Sequence, residues 1–239
     1  MKLDILAIGA HPDDIELACG GTVIKLGKQG KRVGIVDLTA GELGTRGTPE
    51  TRAREAAEAA RILGATVREN LGIDDGNIEN NFENRRKLIE VIRKYTPDVL
   101  LIPYSVDRHP DHEHAHLLCR ESWFYAGLER IDTRAEGVSQ RPFRPRAYYQ
   151  YMQWYDFIPS FIVDISSEYE ERMNAVRAFR SQFYDPENTE PSTILSTPEF
   201  MELVRTRLQF YGDKIGRAHG EAFFSVAPPC VNDIWSLNT

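Results

Sequence analysis

Short apolar runs alternate with helix-length amphipathic stretches from Leu3 to Tyr125, and this alternation limits the possible folds more than any other feature of the chain. Leu3 to Ile8 (L-D-I-L-A-I), Val33 to Leu38 (V-G-I-V-D-L) and Val99 to Ile102 (V-L-L-I) read as buried strands, with a shorter one around Thr66 to Glu69. Between them, Ile15 to Gln29 carries Ile15, Cys19, Val23 and Leu26 at helical spacing. Gly30 closes that helix, because glycine accepts the left-handed residue that ends one. Thr48-Pro49-Glu50-Thr51 opens a second helix that reaches Leu63, with Gly64 behind it; proline in the first turn gives up no needed donor. Phe82 to Tyr95 is amphipathic with Leu88, Ile89 and Ile92 inward, Pro97-Asp98 resets the chain, and Glu113 to Tyr125 is helical again. Strands in alternation with helices predict a Rossmann-like α/β fold, a mostly parallel sheet with helices on both faces.

Beyond Gly127 the pattern changes. Ala147 to Trp154, Phe161 to Ile165 and Ala222 to Val226 read as strands, Glu168 to Phe179 and Pro198 to Phe210 as helices, and Tyr184 to Thr197 as a polar loop. At 239 residues and 27.3 kDa, with no repeat or clear linker, the chain suits one domain. Residues 1–126 would be its Rossmann-like core and residues 127–239 an extension packed on it.

Two strand exits carry dense histidine and aspartate clusters: Ala10-His11-Pro12-Asp13-Asp14 after the first run, and Arg108-His109-Pro110-Asp111-His112 after Val99 to Ile102 and Pro103-Tyr104. Parallel strands release the chain at one sheet edge, where open α/β folds bind ligands, so the clusters can meet there. His11 and Asp14 can point at one centre from a turn stiffened by Pro12. A third ligand from the second cluster would complete a two-histidine, one-carboxylate metal site with an open position for water. Asp13 faces a neighbouring direction. A blander reading competes, in which a histidine after a strand is a hydrogen-bonded structural group and Asp13 or Asp14 caps a helix. Two such clusters at two strand exits favour the metal.

Composition excludes other classes. The net charge of −7 and a pI near 5.5 argue against a nucleic-acid partner. No apolar run approaches the roughly 18 residues of a membrane span, and the first strand follows Met1-Lys2 too closely for a signal peptide. Cys19, Cys119 and Cys230 are odd in number and far apart, which reads as reduced thiols in a cytoplasmic protein. Cys19 lies on an apolar stripe and is expected in the core. Dinucleotide binding also fails: Asp37 ends the second strand where a ribose-binding acid would sit, but Gly9 is followed by two carboxylates in place of the glycine fingerprint, and these would repel a pyrophosphate.

Weaker signals remain. Arg46, in the Gly-rich loop from Ala40 to Pro49, and Arg108 are candidates for bidentate bonds to a substrate carboxylate. Tyr148 to Phe157 (Y-Y-Q-Y-M-Q-W-Y-D-F) is more aromatic than one strand face requires and suits a pocket wall or a subunit contact. His219 stays unassigned.

The motif A-H-P-D-D-I-E, Thr51-Arg52 with Glu55-Ala56-Ala57, and H-P-D-H from His109 to His112 resemble the LmbE-like, PIG-L-type zinc N-deacetylases, which remove acetyl from N-acetylglucosaminyl groups. Gly44 to Glu50, Asp107 to His112, Pro159 to Ser166 and Phe179 to Phe183 look like the branch of bacillithiol biosynthesis, whose substrate is N-acetylglucosaminyl-L-malate. The resemblance implies that His11, Asp14 and His112 hold one zinc ion per chain and that Asp13 is the general base. It implies that His109, oriented by Asp111, carries positive charge near the scissile amide, and that Arg52 lies near the sugar or the acetyl end. Arg46, Arg52 and Arg108 would supply the cations for malate. It further implies a small-molecule substrate and a homo-oligomer, hexamers being frequent in the family. Iron, cobalt or manganese also suit such a donor set. A broader deacetylase of chitin fragments, an amidase of thiol conjugates, and a sugar-binding module without catalysis are the alternatives.

Overall fold

The computed structural model describes residues 1–231, 233 and 234. Strand β1 (Ile5–Gly9) leads into α1 (Asp14–Lys28), β2 (Val33–Asp37) into α2 (Pro49–Leu63), β3 (Val67–Asn70) into α3 (Phe82–Tyr95), and β4 (Val99–Pro103) into α4 (Pro110–Tyr125). A small hairpin, β5 (Arg134–Ala135) and β6 (Val138–Ser139), precedes β7 (Ala147–Tyr151) and β8 (Phe161–Asp164). Helices α5 (Tyr169–Arg177) and α6 (Pro198–Lys214) and strand β9 (Gly220–Phe224) follow.

The main sheet runs β3-β2-β1-β4-β7-β9-β8. Its first five strands are parallel, and β9 is reversed between β7 and β8, antiparallel to both. The expected mostly parallel α/β sheet is therefore present. The chain steps outward from β1 to β3 and then returns to lay β4 on the other side of β1. Such a reversal opens a crevice at the carboxyl ends of the strands, and both histidine clusters leave the sheet at this one.

Alternation along each strand builds two cores. Leu6 and Ile8 of β1 pack with Leu88, Ile92 and Leu118 of α3 and α4. Ile5 and Ala7, on the opposite face, pack with Ile15 and Val23 of α1. Each fully buried aliphatic side chain contributes roughly 1.5–3 kcal/mol, so a one-residue slip of β1 would invert both faces and is strongly disfavoured. A third cluster joins Ala56 and Ala59 of α2 to Met173 and Val176 of α5, Phe179, Phe183, and Phe200 and Val204 of α6.

Several boundaries differ from the reading of the sequence. Helix α4 starts at Pro110, so the second cluster forms its first turn instead of a preceding loop. Strand β7 ends at Tyr151, because Met152, Gln153 and Trp154 turn away to line a cavity. Helix α1 follows the expected stripe but is broken at Cys19, where φ is −145° and ψ is 20°. The hairpin of β5 and β6 was not expected; two-residue strands are too short to show a period. Residues 184–197 contain no helix or strand.

Candidate metal centre and the cavity around it

The chain leaves β1 through a strained turn. Asp13 has a φ of 122°, which a non-glycine residue adopts at a cost of about 1–3 kcal/mol. It occupies the N-cap position of α1, yet its side chain makes no capping bond. Its carboxylate instead accepts from Nη2 of Arg52 at 3.1 Å. The same guanidinium donates to the carbonyls of Pro12 at 2.5 Å and Gly41 at 3.2 Å. Gly41 (φ 68°) lies so close under it that a Cβ there would overlap Nη1. Asp14 is not a cap either, since Oδ2 accepts from the backbone N–H of His11 at 2.9 Å.

Helix α4 brings the second cluster onto the first. The rings of His11 and His109 lie 4.8 Å apart, His109 and His112 5.0 Å, and His11 and His112 5.5 Å. His11, Asp14 and His112 present donor atoms within 4.8 Å of one another, as do His11, His109 and Asp111. The outward nitrogens separate these sets. Nε2 of His11 is already paired with Asp75 at 3.0 Å and Asp111 at 3.3 Å. Nδ1 of His112 is paired with Asp107 at 2.8 Å. Their remaining nitrogens both face Asp14, at 3.8 Å from His11 and 3.2 Å from His112. Imidazoles anchored by carboxylates on one side and facing a third donor on the other match the way proteins present histidine to a metal.

The electrostatics agree with this donor set. Burial opposes a proton on either imidazole, but Asp111 and Asp75 raise His11 to about 10, and Asp14 and Asp107 raise His112 to about 9. Burial also works to raise Asp14, yet His112 and His11 pull it well below the carboxylate range. Asp14 is the first of the groups that raise His112 and a lesser one for His11, so its carboxylate favours positive charge on both rings. Two imidazoles and one carboxylate fit zinc with a position left open. Asp13 behaves oppositely: burial pushes its carboxyl up against the pull of Arg52. Two adjacent carboxylates driven apart in this way are suited to different tasks.

The second cluster departs from expectation in two respects. Asp111 does not orient His109 with its carboxylate, whose Oδ2 contacts His11 and accepts from the N–H of Gly76 at 2.8 Å. His109 is held by the backbone: its Nδ1 accepts from the N–H of Asp111 at 3.2 Å. That bond leaves the ring proton on Nε2, and burial, with His11 and His112 nearby, pushes the pKa of His109 down. Both effects favour the neutral ring, with Nε2–H free to donate, over the positive charge that the resemblance implies.

A cavity of about 410 Å³ opens over these groups. Arg108 lines its mouth, with its guanidinium 4.2 Å above the Trp154 ring and no carboxylate paired with it among the described residues. Arg52 lines the wall but is spent on Asp13. Arg46 does not line it: the side chain is buried, 3.9 Å from Glu190. The aromatic segment divides, with Tyr151 buried in the core and Met152, Gln153 and Trp154 on the cavity. Gln153, which sequence reasoning missed, donates to Oδ1 of Asp14 at 2.6 Å. Asp75 and Asp107 were also missed. Asp107 stands inside the D-R-H-P-D-H run, whereas Asp75 had only its Asp-Asp-Gly turn as a signal. Asp37 is held by two bonds from Arg68, at 2.7 and 2.9 Å, away from any ribose-binding role. His219 stacks on Tyr169 with centroids 3.9 Å apart.

Similarity to known proteins agrees with this site. A family model described as PIG-L, GlcNAc-PI de-N-acetylase, matches residues 6–123. A diacetylchitobiose deacetylase of Thermococcus kodakarensis is 32% identical over 230 residues, covering 91% of this chain and 80% of that protein. The crystal structure of the conserved protein TT1542 from Thermus thermophilus superposes with a TM-score of 0.86 at 38% identity, over 96% of this chain and 97% of that one. The N,N'-diacetylchitobiose deacetylase of Pyrococcus horikoshii, solved with its inhibitor MPG, gives 0.80 at 30% identity, over 94% and 83%. With its two histidine-bearing corners, its sheet and these relatives in agreement, the chain belongs to the PIG-L/LmbE-like deacetylase family.

Proposed function

We propose that this protein is a zinc-dependent N-deacetylase that releases acetate from N-acetylglucosaminyl-L-malate in bacillithiol biosynthesis. The observation that carries the reading is a spare buried carboxylate, Asp13, fixed by Arg52 beside the set of His11, Asp14 and His112 on the cavity wall. A bound zinc ion supplies Lewis acidity towards the amide carbonyl and makes a water acidic. Asp13 accepts the proton of the attacking water; its raised pKa suits a group that takes a proton and then returns it to the leaving amine. Nε2–H of His109 donates to the carbonyl oxygen as charge develops there. Asp75, Asp107 and Asp111 hold His11 and His112 in register. Arg108, flat on Trp154 at the mouth, takes a malate carboxylate, while Arg52 serves the base and Arg46 lies off the cavity. Of the three arginines considered for malate, Arg108 keeps that role.

The reading treats residues 1–239 as one deacetylase domain, supported by the parallel pairing of β7 with β4. It extends to a cytoplasmic homo-oligomer, for which the free thiols of Cys19, Cys119 and Cys230 support a reducing compartment. No helix among the described residues is long and apolar enough to cross a membrane. The second reading, a chitooligosaccharide deacetylase, is favoured by the names of the Thermococcus and Pyrococcus relatives. Side-by-side kcat/KM on the malate conjugate, free N-acetylglucosamine and diacetylchitobiose separates them. The malate conjugate should lead by at least about 10-fold, since an ionic contact left unmatched is costly. Equal or better efficiency on either malate-free sugar removes the malate assignment.

A further inference from the structure

The break in α1 is occupied by two charged side chains from distant parts of the chain. In an unbroken helix the N–H of Gly21 would donate to the carbonyl of Leu17. Here each of those groups has another partner. Gly21 N–H donates to Oε1 of Glu221 at 2.9 Å, and Thr22 donates to Oε2 through its N–H at 2.7 Å and its hydroxyl at 2.6 Å. The Leu17 carbonyl accepts from Nη2 of Arg172. Arg172 and Glu221 approach to 3.5 Å, and each is 1% exposed. The stem of Arg172 packs against a residue without a side chain: a Cβ on Gly20 would lie 3.3 Å from its Cγ.

Each charge suits its end of the break, the carboxylate at the amides that open the trailing piece and the guanidinium at a carbonyl that closes the leading one. Stability alone does not account for the arrangement, because apolar replacements of similar volume commonly serve a buried ion pair as well or better. The leading piece is short, and it starts at Asp14 directly after Asp13. Leu17, Ala18, Arg172 and Glu221 also line the cavity that holds His11 and His112.

We propose that Arg172 and Glu221 are positioning residues that splice the broken helix and so set the direction in which Asp13 and Asp14 present their carboxylates. The turnover part of this inference rests on the deacetylase reading above; the metal-holding part does not.

The test compares Arg172→Met, Glu221→Gln, their combination and Arg172→Lys in the zinc-loaded protein. Four quantities are read: thermal midpoint, zinc release to a chelator, and kcat and KM on the preferred N-acetylglucosaminyl substrate. Each single neutral variant should lower the midpoint, release zinc about 10-fold faster, and lower kcat about 10-fold to 100-fold with KM nearly unchanged. The double variant should recover most of the midpoint, since no unpaired buried charge remains, while keeping fast zinc release and low kcat. Arg172→Lys, which still donates and still pairs, should recover part of kcat. If the singles do not fold, the double variant decides. Zinc release and kcat that return to parental values together with the midpoint, or never depart from them, overturn the proposal. A parental protein that deacetylates nothing refutes the deacetylase reading instead, and zinc release then decides the positioning claim alone.

Discussion

The corner between β4 and α4 holds itself together, whereas the corner between β1 and α1 is held from outside. In the first, Asp107 accepts from the N–H of His109 and pairs with His112, His109 accepts from the N–H of Asp111, and Glu113 accepts from the N–H of Asp107. Pro110 begins the helix at no hydrogen-bonding cost. In the second, Asp13 is strained and uncapped, its carboxylate is fixed by Arg52 of α2, and the helix behind it is spliced by Arg172 and Glu221. A corner that satisfies its own backbone has side chains to spare, and Asp111 reaches over to His11 in the other corner. The strained corner reaches back through Asp14, 3.2 Å from His112, and it carries the group assigned to proton transfer. Local strain kept in place by distant partners is a common mark of a working site.

The largest effect should come from the strained corner. Asp13→Ala should keep the metal and lower turnover by roughly 10³-fold to 10⁴-fold, as for loss of a general base. Metal content and steady-state rates measured on one preparation check it, and near-normal turnover would leave Asp13 a structural partner of Arg52 and reopen the sugar-binding module. In the other corner, His109→Ala should cost about 10²-fold to 10³-fold in kcat with metal content unchanged, the scale for loss of one donor to a developing oxyanion. Loss of stoichiometric metal in that variant would favour the alternative set of His11, His109 and Asp111.

Asp111→Asn sharpens the contrast further. Because this carboxylate anchors His11 and not His109, the variant should weaken metal affinity by about 10-fold to 100-fold, read by chelator competition. A fall in kcat at unchanged metal affinity would return Asp111 to the service of His109. The smallest expected effect lies deeper in α4. Burial lowers the pKa of His116 from 6.5, against the opposing bond to the Pro103 carbonyl at 3.0 Å. Its neutral form is favoured in the fold, so its contribution is complete above about pH 6.5 and is lost as pH falls through the lowered value. His116→Gln should therefore flatten the decline of the thermal midpoint on acidification from pH 6.5, by about 2 °C. An unchanged slope would show that His116 does not contribute to it.

The framework of β1 to α4 was legible because its signals are local. Apolar runs, helical stripes and the Thr48-Pro49 start each lie within one element, and α3 spans Phe82–Tyr95 as read. The break in α1 was not legible, because Ile15, Cys19, Val23 and Leu26 keep a helical stripe across it while its cause lies at Arg172 and Glu221. For the second cluster, the His-Pro-Asp-His motif identified the groups, but the resemblance gave Asp111 to His109, whereas its carboxylate lies on His11, a hundred residues away. Asp75 and Gln153 gave no usable signal, since only the sheet brings their loops to His11 and Asp14.

The sequence by itself determined the alternation of strands and helices, the two strand exits that carry the chemistry, and the residues His11, Asp13, Asp14, His109 and His112 that gather there. These follow from side-chain periodicity and from chemical type, both of which are written along a few consecutive residues. Only the tertiary structure decided which carboxylate anchors which imidazole, that Arg52 serves Asp13, that Arg46 is buried off the cavity while Arg108 stays at its mouth, and that an ion pair splices α1. The physical reason is common to all of these. Protonation, hydrogen-bond partnership and orientation depend on burial and on charges a few ångströms away, and those neighbours arrive from tens to hundreds of residues along the chain.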